Sequence, residues 1–185
     1  MSRLVLGLDP SIKATGWALI AGDALVGLGS WATQIDSDAG KFADRARRAE
    51  EIGRALLALV TEHRPSRAFI EAPIFKPSDG KMSVHAAARV RGVAEGICLA
   101  CGIPLVEFSP QDVKRAITND PHASKEQVAR RLHQLYERDL RIGNADDNAT
   151  DALAVAYVGV HRVATTVSSG VVSYRPVEEE EFEVL

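Results

Sequence analysis

Five acidic positions carry the strongest chemical signal in the chain, because each stands where a strand ends or a helix begins. Asp9 closes the apolar run from Leu4 and is followed by Pro10 and Ser11, residues that stop strands and start turns. Glu71 closes a second apolar run, from Ala68, ahead of Ala72 and Pro73. Asp146, Asp147 and Asn148 come shortly before Asp151, which heads the apolar stretch ALAVAYVGV. Asp147 and Asp151 are four residues apart and share a helical face. Helix capping accounts for one or two carboxylates in such a first turn. It accounts less well for Asp151, whose apolar continuation must pack inward and carry the acidic face towards a sheet. Carboxylates gather only around cations, and all-oxygen donors favour hard ions. The expected occupants are therefore Mg²⁺ or Mn²⁺, two per site, as used to activate water for phosphodiester hydrolysis.

These residues converge only if the intervening elements bring them together. Strands are expected at Leu4 to Asp9, Thr15 to Ile20 and Ala24 to Thr33, the last two joined at Gly22 and Asp23 as an antiparallel meander. From Ala39 to His63 apolar residues recur at helical spacing (Phe42, Ala46, Ala49, Ile52, Leu56, Leu59, Val60), predicting a long amphipathic helix. A strand at Ala68 to Glu71, a small-residue helix at Ser83 to Cys101 and a strand at Ile103 to Phe108 continue as βαβ units. Short helices follow at Gln111 to Ile117 and from Ser124, where Gln127 completes a capping box, to about Tyr136. A final helix spans about Ala145 to Thr165. The result is an α/β fold with a mixed five-stranded sheet. Strands joined through one long helix lie parallel with a right-handed crossover, so Asp9 and Glu71 reach the same sheet edge.

The 185 residues, 46% hydrophobic and 25% charged, describe one globular domain and exclude wholesale disorder. No apolar run approaches the ~20 residues of a membrane span, and the first twenty residues lack a secretory pattern, which leaves the cytoplasm as the expected compartment. The net charge of −3 would argue against nucleic acid, but it is unevenly distributed. Val171 to Leu185 hold one Arg and five Glu; the remainder has 21 basic and 20 acidic residues, and 16 of the 22 cations are Arg. Residues 1–167 are thus expected to form the domain and residues 168–185 an acidic, disordered tail. Lys76, Lys81, Arg89, Arg91, Lys114, Arg115 and Lys125 stand where a phosphate backbone could be met. Arg130 and Arg131 read better as a solvated helix face. Phe75 is either a base-stacking wedge or a buried anchor. Cys98 and Cys101 end an apolar helix with no second ligand pair, so reduced structural thiols are expected. The five histidines show no ligand spacing, and no phosphate-cradling glycine loop appears.

In order and composition, these parts resemble the RuvC family of Holliday-junction resolvases, within the wider RNase H-like group. The resemblance rests on GLDPSIKATGWALI (Gly7 to Ile20), AFIEAP (Ala68 to Pro73), RGVAEG (Arg91 to Gly96), SPQDVKRAIT (Ser109 to Thr118), ASKEQV (Ala123 to Val128) and DALAVA (Asp151 to Ala156). It implies an RNase H-like sheet with helices on both faces and a homodimeric, Mg²⁺-dependent endonuclease that nicks two opposing strands of branched DNA. Asp9, Glu71 and Asp151 fall on the family's metal-binding acids, and Lys114 and Lys125 on its lysines near the scissile phosphate. Departures are Ser11 where the family has Gly, and Asn148 where it commonly has an acid. Asp147 is taken as the fourth ligand, with Asn148 as a weaker donor. Asn119 to His122 replace a glycine-rich turn, and Phe75 is displaced by one position; these departures resemble a divergent, phage-type branch. The tail would be free for a recombination or packaging partner. An RNase H-like ribonuclease and a non-catalytic junction-binding module remain alternatives; an actin-like kinase lacks its second lobe here.

Overall fold

The computed structural model describes residues 3–73, 80–136 and 145–163. Five strands form one mixed sheet: β1 (Leu4–Asp9), β2 (Ala14–Ala21), β3 (Ala24–Ala32), β4 (Arg67–Glu71) and β5 (Leu105–Phe108), in the order β3-β2-β1-β4-β5. The β1–β2–β3 meander is antiparallel, while β1–β4 and β4–β5 are parallel. The helices are α1 (Lys41–His63), α2 (Lys81–Ala100), α3 (Pro110–Thr118), α4 (Lys125–Leu135) and α5 (Asp147–Val163). Every expected strand and helix is present, with ends displaced by one or two residues; the expected last two residues of α5 and the tail lie outside the described residues.

Strand alternation sorts the side chains into two layers. Leu6, Leu8, Leu19 and Ala68 pack against Leu56, Leu59 and Val60 of α1 and Ala94 and Cys98 of α2. Val5, Ala18, Ile20 and Phe69 face the other way, onto α3, α4 and α5. By the same period of two, Asp9 follows Val5 and Gly7, and Glu71 follows Phe69, onto the α5 side.

Two glycines set the height of α5. A β-carbon on Gly7 would stand 2.1 Å from the Ala152 carbonyl oxygen, and one on Gly16 would stand 1.9 Å from that of Asn148. Gly16 is the cross-strand partner of Asp9. Any larger residue would lift α5 away from the strand end that carries Asp9.

Cys98 is buried and Cys101 exposed, both free; burial pushes the Cys98 thiol up to about 11, so it is an inert packing group. No helix among the described residues is long and apolar enough to cross a membrane.

Candidate active site

Leu8 and Ile70 are paired in the parallel β1–β4 ladder, so the next residues, Asp9 and Glu71, end adjacent strands side by side. α5 crosses above them and brings Asp151 into the same electrostatic group. Burial, then Asp151 and Asp146, push the Asp9 carboxyl up to about 6 against the opposing pull of Lys125. Burial, then Asp151 and Asp9, push Glu71 up to about 7, with Lys125 and Lys114 opposing. Crowded, partly desolvated acids of this kind ionise at higher pH than free carboxylates, and a nearby cation favours their charged form.

The nearest protein cation is Lys125. Its Nζ donates to Asp151 Oδ2 at 2.5 Å, a bond that raises the lysine's own pKa. The capping box explains its placement: Gln127 N donates to Ser124 Oγ at 3.3 Å, Ser124 N donates to Gln127 Oε1 at 2.7 Å, and Lys125 is the first residue inside. Lys114 lies on α3, whose start is held by Ser109 Oγ accepting from Asp112 N at 3.1 Å, with Pro110 next in line.

The opening turn of α5 differs from expectation. Asp146, which precedes the helix, is its cap: Oδ1 accepts from Ala149 N at 2.8 Å and Oδ2 from the Ser30 hydroxyl at 2.5 Å. Burial opposes ionisation there, but the bonds from Ser30, Ala149 and Asn148 hold the Asp146 carboxyl below the ordinary aspartate range. Asp146 and Asp147 are both exposed, and Asp146 contributes to the rise of Asp9. Which of the two caps α5 depends on where its first turn starts.

The expected DNA contacts are dispersed. Lys81 is exposed at the first turn of α2. Arg89 lines the groove between α1 and α2 rather than the carboxylate cleft, and Arg115 pairs with Asp112 at 3.3 Å. Arg91 lines the cleft beside the acids, and its guanidinium is engaged by protein acceptors on three sides. Phe75 and Lys76 lie outside the described residues. A cleft of about 650 Å³ opens beside the acids, bounded by Asp9, Pro10, Glu71 and Pro73 on one side and by Ser83, Val84, Ala87 and Gly92 of α2 on the other.

Sequence reasoning missed three supports for this arrangement: Gly16 under α5, Ser30 on Asp146, and a buried ion pair on α1. In the last, Arg48 Nη1 meets Asp44 Oδ2 at 3.3 Å, while its Nη2 and Nε donate to the Ile12 carbonyl (3.0 Å) and Thr33 Oγ1 (2.8 Å). These bonds fasten the turn that follows Asp9.

The donor chemistry fits a hard divalent cation: the acids offer only oxygen, and burial and mutual repulsion leave two of them reluctant to ionise unaided. Among the described residues no three acidic, His or Cys side chains stand close enough to form a ready-made cage. Lys125 pairs with Asp151.

A mixed sheet in the order β3-β2-β1-β4-β5, with acids at the ends of β1 and β4 and on the crossing helix, defines the class of RNase H-like, metal-dependent nucleases. The family model for crossover junction endodeoxyribonuclease RuvC matches residues 5–159. The chain belongs to the RuvC family, whose nuclease chemistry depends on divalent metal. It is 33% identical over 156 residues to the crossover junction endodeoxyribonuclease RuvC of Christiangramia forsetii, covering 83% of this chain and 77% of that protein. The corresponding protein of Cytophaga hutchinsonii is 30% identical over 160 residues, 84% of this chain and 75% of its own length. Among solved structures, Thermus thermophilus RuvC in complex with Holliday junction substrate superposes with a TM-score of 0.72 at 22% identity, covering 86% of this chain and 93% of that one.

Proposed function

We propose that this protein is a structure-specific endodeoxyribonuclease that nicks four-way (Holliday) or other branched DNA symmetrically by divalent-metal phosphodiester hydrolysis. The observation that carries the reading is the side-by-side ending of β1 and β4 at Asp9 and Glu71 beneath Asp151. Asp9, Glu71, Asp151 and a donor from the start of α5, Asp147 in our assignment, would hold two Mg²⁺ ions, with Mn²⁺ able to substitute. When bound, such ions acidify a water and offset charge on the leaving 3′ oxygen, which leaves 5′-phosphate and 3′-hydroxyl ends.

The chain's own groups do the rest. Lys114 and Lys125 place positive charge beside the acids and stand ready for the phosphate diester. Lys76, Lys81, Arg89 and Arg115, with Phe75, provide the wider DNA contacts. Symmetric nicking requires two sites, which supports a homodimer. We assign residues 1–167 to the nuclease domain, 168–185 to an acidic tail open to a recombination or packaging partner, and the whole to the cytoplasm.

Incubation with a labelled four-way junction, linear duplex and RNA/DNA hybrid, with and without Mg²⁺, tests the reading. Cleavage confined to the junction and to Mg²⁺ is expected; preferred cutting of the hybrid favours a ribonuclease, and Mg²⁺-indifferent binding alone a non-catalytic module. Asp9→Asn should abolish cleavage and leave junction binding, and retained cleavage removes Asp9 from the mechanism. The fourth donor is read by comparing Asp147→Asn with Asp146→Asn, since Asn caps a helix as well as Asp. A loss at least tenfold larger for Asp147→Asn keeps our assignment, and the reverse moves it to Asp146.

A further inference from the structure

Arg91 is held on three sides. Its side chain is only 14% exposed, Nε pairs with Glu95 Oε1 at 2.7 Å on the next turn of α2, and Nη2 meets the Glu107 carboxylate on β5. Nη1 donates to the main-chain carbonyl of Glu71 at 2.9 Å. Glu71 is the last residue of β4, where the ladder to β5 ends at the Glu71–Phe108 pair. A strand end is where backbone hydrogen bonds run out and fraying begins. Arg91 supplies a donor at that point and ties it to α2 and β5 at once.

We propose that Arg91 is a positioning residue for Glu71: the guanidinium fastens the Glu71 main chain to α2 and β5 and thereby fixes where its carboxylate stands at the sheet edge. The inference rests on the proposed role of Glu71 as a metal ligand. The planar fork of arginine is required, because three donors in fixed directions meet three acceptors, and a lysine ammonium on its flexible stem cannot hold all of them in that geometry. Groups that orient a metal ligand commonly matter to metal affinity or activity by ~10-fold to 100-fold.

The test compares the full-length wild type with Arg91→Gln, Arg91→Lys and Glu107→Gln. Three quantities are read: Mn²⁺ affinity by calorimetry without DNA, four-way junction affinity and its salt slope in EDTA, and cleavage rate at saturating junction. Both Arg91 variants should bind Mn²⁺ at least about tenfold more weakly and cut at least about tenfold more slowly, with junction affinity within about twofold and the salt slope unchanged. Weakened junction binding with a shallower salt slope and unaltered Mn²⁺ affinity would make Arg91 a phosphate contact and overturn the proposal. If the Arg91 variants melt below the assay temperature, Glu107→Gln decides, because it replaces the carboxylate with a neutral amide at one of the three contacts only: a smaller loss of Mn²⁺ affinity supports the clamp, and none overturns it. A wild type that binds Mn²⁺ but cuts no junction would sink the nuclease reading, yet the metal affinities would still decide Arg91.

Discussion

Asp9 and Glu71 make the protein's proton uptake depend on its fold. Their carboxyls rise from ordinary values of 3.8 and 4.5 to about 6 and about 7, first through burial and then through neighbouring acids. An acid with a raised pKa binds more protons folded than unfolded. In EDTA these two groups therefore stabilise the fold below about pH 4, and that contribution is lost as pH rises to about 7. A divalent cation bound by the ionised acids, as proposed, should reverse the trend. Melting curves in EDTA and in Mn²⁺ across pH 5 to 8 check this, with Glu71→Gln expected to flatten the EDTA slope; an unchanged slope would place the uptake elsewhere. Cleavage should climb through the same window, because protonated acids hold no cation. Asp9 and Glu71 were readable in the sequence because a carboxylate followed by Pro, or by Ala and Pro, marks a strand end. Asp146 was not, because which of three neighbouring polar residues caps a helix depends on where the first turn starts.

At the scale of elements, apolar periodicity and turn residues located the strands and helices seen among the described residues, since each element's own sequence contains the pattern. The approach of α5 to the sheet is different, because it depends on small residues in two distant strands. The sequence around Gly7 and Gly16 does not show that Ala152 and Asn148 stand against them in the fold. The anchoring of Arg91 is hidden from the sequence for a related reason: its acceptors on β4 and β5 lie on other elements and come beside it only in the fold. Gly16→Ala tests how far the site depends on the seat of α5. Its new methyl group would overlap backbone that cannot rotate away, so we expect a loss of about 1–3 kcal/mol, seen as a fall in melting temperature of about 2–4 °C per kcal/mol. Cleavage should fall by more than that loss of folded protein explains, with junction affinity in EDTA little changed. Equal losses in cutting and in folded fraction would mean that α5 packs tightly for stability alone.

For the whole molecule, net charge misleads when taken as an average. The sequence sums to −3, yet without residues 168–185 it is +1, and the acids at the sheet edge are answered locally by Lys114 and Lys125 and by any bound cation. The proposed DNA contacts Lys81, Lys114, Arg115 and Lys125 lie within the family match, whereas the five glutamates of the tail belong to a segment that this match, ending at residue 159, does not include. If the tail acts only through its charge, it repels the junction at long range, and that repulsion must vanish as salt shortens the Debye length from ~10 Å at 0.1 M towards ~3 Å at 1 M. A chain ending at residue 167 should therefore bind a four-way junction more tightly than the full chain at low salt and equally at high salt, with the same cleavage rate at saturation. Electrophoretic binding assays across a salt series read the difference directly. A gap that persists at 1 M salt would instead mean that the tail contacts the domain or the DNA specifically, and weaker binding after truncation would make it part of the DNA surface.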